Sequence, residues 1–265
     1  MSLTTAGKTT TTATTTASKP KIIVRQAHLY EAFQIGKVAA ATYLGSALTR
    51  FLSPRADEQY GPYQAGFQAR ALRRMLNPRN FSVVAVEETN PNVIVAYAQF
   101  VRVGEDEGSQ RQIASRKTWW LTFFAWVYSW IMPLFMRVYG GRSDSPAAAQ
   151  VFINSGGFEQ EASFASHPKR KNRWHAESVV VLREFQGRKI GKMLMGEVTK
   201  KAQAEGVVIA LEASSEGEFL YRSVGFEMVS RFPILEGMEY GPEGNMGGFM
   251  MWKPEGFSDD CICKE

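Results

Sequence analysis

Cysteine is nearly missing: the 265-residue chain has two, Cys261 and Cys263, one residue apart at its end. A pair so placed cannot staple a core, and the three histidines, His28, His167 and His175, form no cluster with them of the kind a metal site needs. The expectation is a cytoplasmic, reducing compartment and no metal. Acidic residues are absent before Glu31, and residues 1–20 also lack aromatics while holding nine threonines. Such a tract cannot bury enough apolar surface to offset the entropy of ordering it, so 1–20 is expected to be a disordered tail. It has no apolar run of a secretory signal, and with Lys8 and Lys19 but no arginine it makes a poor mitochondrial presequence.

What is present has an ordinary globular balance, 45% hydrophobic and 22% charged, which excludes a wholly disordered chain, a collagen-like repeat and a coiled coil. Lysine and arginine total 31 against 26 acidic residues, for a net charge of +5. That excess suits a small anionic ligand and falls short of a nucleic-acid footprint, so no nucleic-acid partner is expected.

The periodicity predicts a strand at 21–25, a helix from about His28 to Tyr43, and further helix carrying Leu48 and Phe51, then Phe67, Leu72 and Met75, with Pro54 between. Two runs, Phe81 to Glu88 and Val93 to Val103, flank Thr-Asn-Pro-Asn and read as an antiparallel hairpin. Later the order is strand (Val179 to Leu182), helix opened by Gly187 and running to about Ala204, strand (Val207 to Glu212), helix (Glu216 to Ser223), then strands at Phe226 to Phe232 and Phe249 to Trp252. The plan is α+β, a single domain over 21–257 with a short tail at 258–265.

Residues 105–170 read as an insertion between the third and fourth strands. Within it Thr118 to Met136 is 19 residues without a charge, rich in tryptophan and phenylalanine. Its length meets the test for a membrane span, but Pro133 is expected to interrupt it and the chain on both sides belongs to one sheet. The expectation is a helical lid that buries its aromatic face on its own domain. A surface that contacts a membrane or partner through 118–136 is the next reading.

The stretch Val179-Val-Val-Leu-Arg-Glu-Phe-Gln-Gly-Arg-Lys-Ile-Gly191 runs a hydrophobic strand into a basic, glycine-containing turn that opens a helix. The first amides of a helix lack intrahelical acceptors and the helix dipole favours an anion, so this arrangement suits a phosphate. Arg188, Lys189 and Lys192 add positive charge.

The block Gln186, Gly187, Arg188, Lys189, Ile190, Gly191 resembles the acetyl-CoA-binding motif of the GNAT superfamily of N-acetyltransferases: Gln or Arg, two residues, Gly, one residue, then Gly or Ala. Lysine stands fourth, where the family usually has glycine. About thirty residues on, Leu211-Glu-Ala-Ser-Ser-Glu-Gly-Glu-Phe-Leu-Tyr-Arg-Ser-Val-Gly-Phe226 is similar to the family's second signature, a strand followed by a short helix bearing tyrosine and then Gly-Phe. The resemblance implies a mostly antiparallel sheet with helices on both faces, splayed between strands 4 and 5. Acetyl-CoA would lie in that cleft, its thioester beside the amides of Val179 and Val181 and its diphosphate on the turn Gln186 to Lys192.

Acetyl transfer to an amine needs an uncharged nitrogen, a polarised carbonyl and a proton for the leaving thiolate. The resemblance places the proton donor at Tyr221. His175 and Glu177, two apart on one strand, share a face, and relatives often use a glutamate or histidine there as base. Both stay open here. Ser214 either bonds the pantetheine arm, as in relatives, or caps the helix before Glu216 and Glu218. Lys169 to Arg173 reads as a solvated charge run rather than an adenosine contact. The insertion and the loop 235–248 lie where the family varies its acceptor pocket, and an aromatic wall suits a small hydrophobic or aromatic amine. Glu236, Glu239 and Glu243 keep a cationic acceptor as the alternative. The competing readings are a coenzyme-A-binding module without turnover and a membrane-associated protein.

Overall fold

Alternating apolar residues build one sheet, which the computed structural model shows among its described residues, 20–140, 142–232 and 247–258. The expectations for residues 1–19 and 259–265, and for Glu236, Glu239 and Glu243, fall outside those described. The strands are β1 (Ile22–Gln26), β2 (Asn80–Glu87), β3 (Asn90–Val103), β4 (Arg173–Val181), β5 (Val208–Ala213), β6 (Glu227–Arg231) and β7 (Gly248–Trp252). They pair in the order β1-β2-β3-β4-β5-β7-β6, antiparallel except for β4 with β5.

Helices cover both faces. On one, α1 (Ala32–Tyr43) and α3 (Tyr60–Leu76) pack Ile35, Val38 and Met75 on Val84, Ile94, Tyr97 and Val180. On the other, α7 (Ile190–Glu205) carries Ile190, Leu194, Val198 and Ala202 at four-residue spacing, a stripe that settles on Val83, Ala98, Phe100 and Trp174. Burying each large apolar side chain contributes about 1.5–3 kcal/mol, which makes these two layers the main support of the sheet. The fold is the mixed α+β plan expected. One boundary differs: Gly187 does not open α7, which begins at Ile190 after Lys189, because Gly187 and Lys189 both take positive φ (75° and 61°), incompatible with a right-handed helix.

The splay comes from two local events in β4. Its parallel pairing with β5 ends at Ala176↔Leu211, and its register against β3 jumps from Ser178↔Gln99 to Ala176↔Phe100, leaving Glu177 as an extra residue. A bulge bends its strand and turns consecutive side chains to one side. Beyond it β4 continues on β3 alone, so its β5-facing edge from Glu177 to Val181 is unpaired within the sheet.

Between β3 and β4 the chain forms α4 (Glu107–Arg116), α5 (Trp119–Val138) and α6 (Pro146–Gln160). Arg102, with no exposed surface, binds Asp106 at 2.5 Å and Glu205 at 2.7 Å, tying β3 to the start of α4 and the end of α7. Pro133 does not interrupt the aromatic block: α5 runs through it unbroken. Nor is the block a lid buried on its own domain. Leu121 is its single buried residue, while Trp119 and Trp130 are 82% and 70% exposed. The reason is direction: α5 lies along α3, with Tyr128 Oη donating to Ala69 O at 2.9 Å, and its opposite face has no protein against it among the described residues.

Candidate active site

The turn after β4 is built to expose amides. Leu182 N donates to Val95 O on β3 at 3.0 Å, so by strand alternation the amides of Val181 and Val179 point the other way, into the splay. After a short 3₁₀ turn, Arg183–Phe185, the amides from Gly187 to Lys192 have no backbone acceptor among the described residues; the next, Met193 N, reaches Lys189 O at 3.2 Å. A Cβ at Gly187 would meet open space, whereas one at Gly191 would come within 2.7 Å of Leu220 Cδ2 on α8 (Ser215–Arg222). Gly187 is needed for its φ, and Gly191 for the close approach of α8.

The side chains of the turn are mostly occupied in holding it. Gln186 Nε2 donates to Val181 O at 3.1 Å and Lys192 Nζ to Ser223 O at 3.2 Å. Arg188 pairs with Glu87 at 3.3 Å, donates to Pro20 O and lies over the Phe185 ring. The anion site is therefore one of backbone amides at a helix start, with Lys189 exposed beside it.

On the same side as α7, Tyr221 projects from α8 and packs on Phe226, with ring centroids 5.8 Å apart. Burial, with Tyr43 nearby adding to it, pushes its hydroxyl above the ordinary tyrosine value, so it stays protonated through neutral pH. Ser214 caps α8, its Oγ accepting from Gly217 N at 3.1 Å.

Across the opening, on the α3 side, the sheet carries His175, Glu177 and Glu212. The Glu177 carboxylate is held by Arg74, whose Nε lies 3.2 Å away, and by Asn80 Nδ2. His175 keeps Nδ1 sealed from solvent without a partner, and burial, reinforced by Arg173 and Arg74, pulls its pKa down to about 4. Glu212 was not singled out from the sequence. It follows the last β4–β5 pair, faces the same way as Val208 and Ala210, and makes no hydrogen bond or ion pair among the described residues. Its side chain is exposed where β4 and β5 part; the protein around it still desolvates the carboxylate and raises its pKa, with Arg74 opposing. One charge in the run Val-Ile-Ala-Leu-Glu-Ala was the available signal; Arg74, in an ordinary basic helix turn, gave none.

Lys169 to Arg173 is a solvated run only in part: Lys169 and Lys171 are exposed, while Arg170 is buried and donates to Ser163 O at 3.2 Å and Arg173 is buried over the Phe164 ring. The run precedes or begins β4, at the opposite end from the amide turn, and the Phe164 cluster under β5 and β7 draws the two arginines inward. The exposed aromatic face of α5 does not line the opening either, since the helix rides on α3.

Residues 148–228 match the family model of the acetyltransferase (GNAT) domain, and that span holds β4, the amide turn, β5 and Tyr221. The chain carries a GNAT acetyltransferase domain. The class of enzyme is acyltransferase. Among solved structures, the chain is similar to the histone acetyltransferase HPA2 and related acetyltransferase from Corynebacterium glutamicum, at 17% identity and a TM-score of 0.55, over 88% of this chain and 96% of that one. It also aligns with the PaiA N-acetyltransferase from Thermoplasma acidophilum, solved with coenzyme A, at 13% identity and a TM-score of 0.44, over 88% and 99%. No curated protein matches it in sequence.

Proposed function

We propose that this GNAT domain transfers acetyl from acetyl-CoA directly to the nitrogen of a small amine with an apolar or aromatic body, within a ternary complex, in the cytoplasm. The observation that carries the reading is the convergence at the β4–β5 opening of an amide turn without acceptors, two strand amides directed into the splay, and a protonated tyrosine. Acetyl-CoA is the co-substrate: the amides of Gly187 to Lys192 suit its diphosphate, and those of Val179 and Val181 suit the thioester oxygen as it gains charge. The amine nitrogen bonds to the carbonyl carbon, the carbon–sulfur bond breaks, and Tyr221 gives its proton to the departing thiolate.

Of the three groups on the acceptor side we assign the base to Glu212. Glu177 is engaged by Arg74 and Asn80, which makes it a positioning residue at the bulge. His175, with a pKa of about 4, is a weak base at neutral pH. Glu212 has no ion pair among the described residues, stands where β4 and β5 part and has a raised pKa, so it takes the proton of an ammonium more readily than an ordinary carboxylate does. The Glu212 carboxylate, without an ion pair among the described residues, suits a cationic amine, and Tyr43, stacked on Phe67 at 5.7 Å, offers an aromatic surface for its body.

The test is thermal unfolding with acetyl-CoA followed by thiol release across a panel of amines. Saturation at about a hundred times Kd should stabilise the fold by about 2.7 kcal/mol. Tyr221→Phe is expected to lower kcat by about 10² or more while leaving acetyl-CoA affinity unchanged. Glu212→Gln should abolish the acidic limb of the pH–rate profile. Stabilisation without thiol release from any amine would make the chain a coenzyme-binding module; no stabilisation at all would reject both readings.

A further inference from the structure

We propose that α5 is a membrane-surface anchor that lies in the plane of an anionic leaflet. The helix has 20 residues, about 30 Å at the usual rise, and is long and apolar enough to cross a bilayer. Its attachments forbid crossing. Tyr128 in its middle bonds Ala69 on α3, Arg116 before it donates to Met75 O at 3.3 Å, and just after it Ser145 N donates to Leu52 O at 2.8 Å. Both ends and the middle thus belong to one side of one domain. Leu121, Ala125, Tyr128, Met132 and Met136, at helical spacing, form the more protected face. Trp119, Phe123, Trp126, Trp130, Ile131 and Leu134 are all exposed on the rest.

Charge selects the occupant. Between Glu107, which pairs with Arg111, and Asp144 the chain has four further cations, Arg116, Lys117, Arg137 and Arg142, and no carboxylate. Lys117 and Arg137, at the two ends of the helix, are exposed. Apolar surface with tryptophan, bracketed by cations, is complementary to the acyl boundary and phosphate layer of an anionic leaflet. A second copy of the chain is disfavoured by the same pattern: whichever way two α5 helices ran, basic ends would meet basic ends, with no carboxylate in the segment to pair them. Residues 1–19 are an equally poor cover, since Met1 and Leu3 are their only large apolar side chains.

The experiment is flotation of the full chain with phosphatidylcholine vesicles, with and without phosphatidylserine. The wild type should float with the anionic vesicles. Trp126→Glu/Trp130→Glu should reduce the bound fraction about tenfold or more, and Lys117→Glu/Arg137→Glu should remove the preference for phosphatidylserine. Both pairs are at exposed positions, and circular dichroism checks that the variants fold. Four of the six tryptophans, Trp119, Trp120, Trp126 and Trp130, are on α5, so quenching of wild-type fluorescence by brominated lipid gives a readout without substitution. Quenching is expected. No flotation of the wild type, flotation indifferent to the tryptophan pair, or a concentration-dependent dimer in light scattering that this pair dissolves would each overturn the proposal.

Discussion

Lys189 is the sole non-glycine residue with positive φ among those described, at 61°, and it stands where the resembling family usually has glycine. An L-residue in that region suffers contact between Cβ and the backbone, so the turn forms at a local cost of about 1–2 kcal/mol. The anion-facing amides tolerate this because they are main-chain groups whose direction depends on φ and not on the side chain. Lys189→Gly is therefore expected to raise unfolding stability by about 1 kcal/mol in a urea titration. Acetyl-CoA affinity should change little, since the amide stays where it is and the exposed ammonium is one charge near a screened surface. A loss of stability on this substitution would mean that the turn is held by the lysine side chain and not by its backbone.

At the scale of elements, the position of α8 against α7 decides whether Tyr221 reaches the opening. Gly191 is the contact point, because any Cβ there runs into Leu220. Gly191→Val should destabilise by about 1–3 kcal/mol through overpacking and weaken turnover by displacing the helix that carries Tyr221. Adding Leu220→Ala should recover part of both losses, a less-than-additive pair that a double-mutant cycle measures. The cofactor side was legible in the sequence because strand, turn and helix there are contiguous, and glycine spacing records backbone geometry directly. The acceptor side was not, since Arg74 on α3 and Glu212 on β5 meet only through sheet order and the Glu177 bulge, and a bulge leaves no periodic mark. The aromatic block illustrates a different limit: its helix could be read from composition, but which protein surface it would cover depended on packing against α3. Pro133 misled for a related reason, because a helix end is not obligatory where the lost donor costs one bond in a long exposed segment.

For the whole molecule, His175 makes stability depend on pH in a way that can be separated from catalysis. Its pKa is about 4 in the fold against 6.5 for the free side chain. Between those values the unfolded chain binds a proton that the folded chain refuses, so stability is full above pH 6.5, falls as pH drops through this window, and levels off below about 4. The loss by the bottom of the window is on the order of 3 kcal/mol, enough to move a urea midpoint clearly. Glu212, whose pKa is raised, works in the opposite sense just above the ordinary carboxylate value and softens the fall. His175→Phe should flatten the profile between pH 6.5 and 4 while leaving the acidic limb of turnover in place, because that limb is assigned to Glu212. Glu212→Gln should do the reverse, abolishing the limb and steepening the stability profile. If His175→Phe erased the acidic limb instead, the proton that leaves the acceptor would pass through the imidazole, and the two residues would exchange their assigned parts.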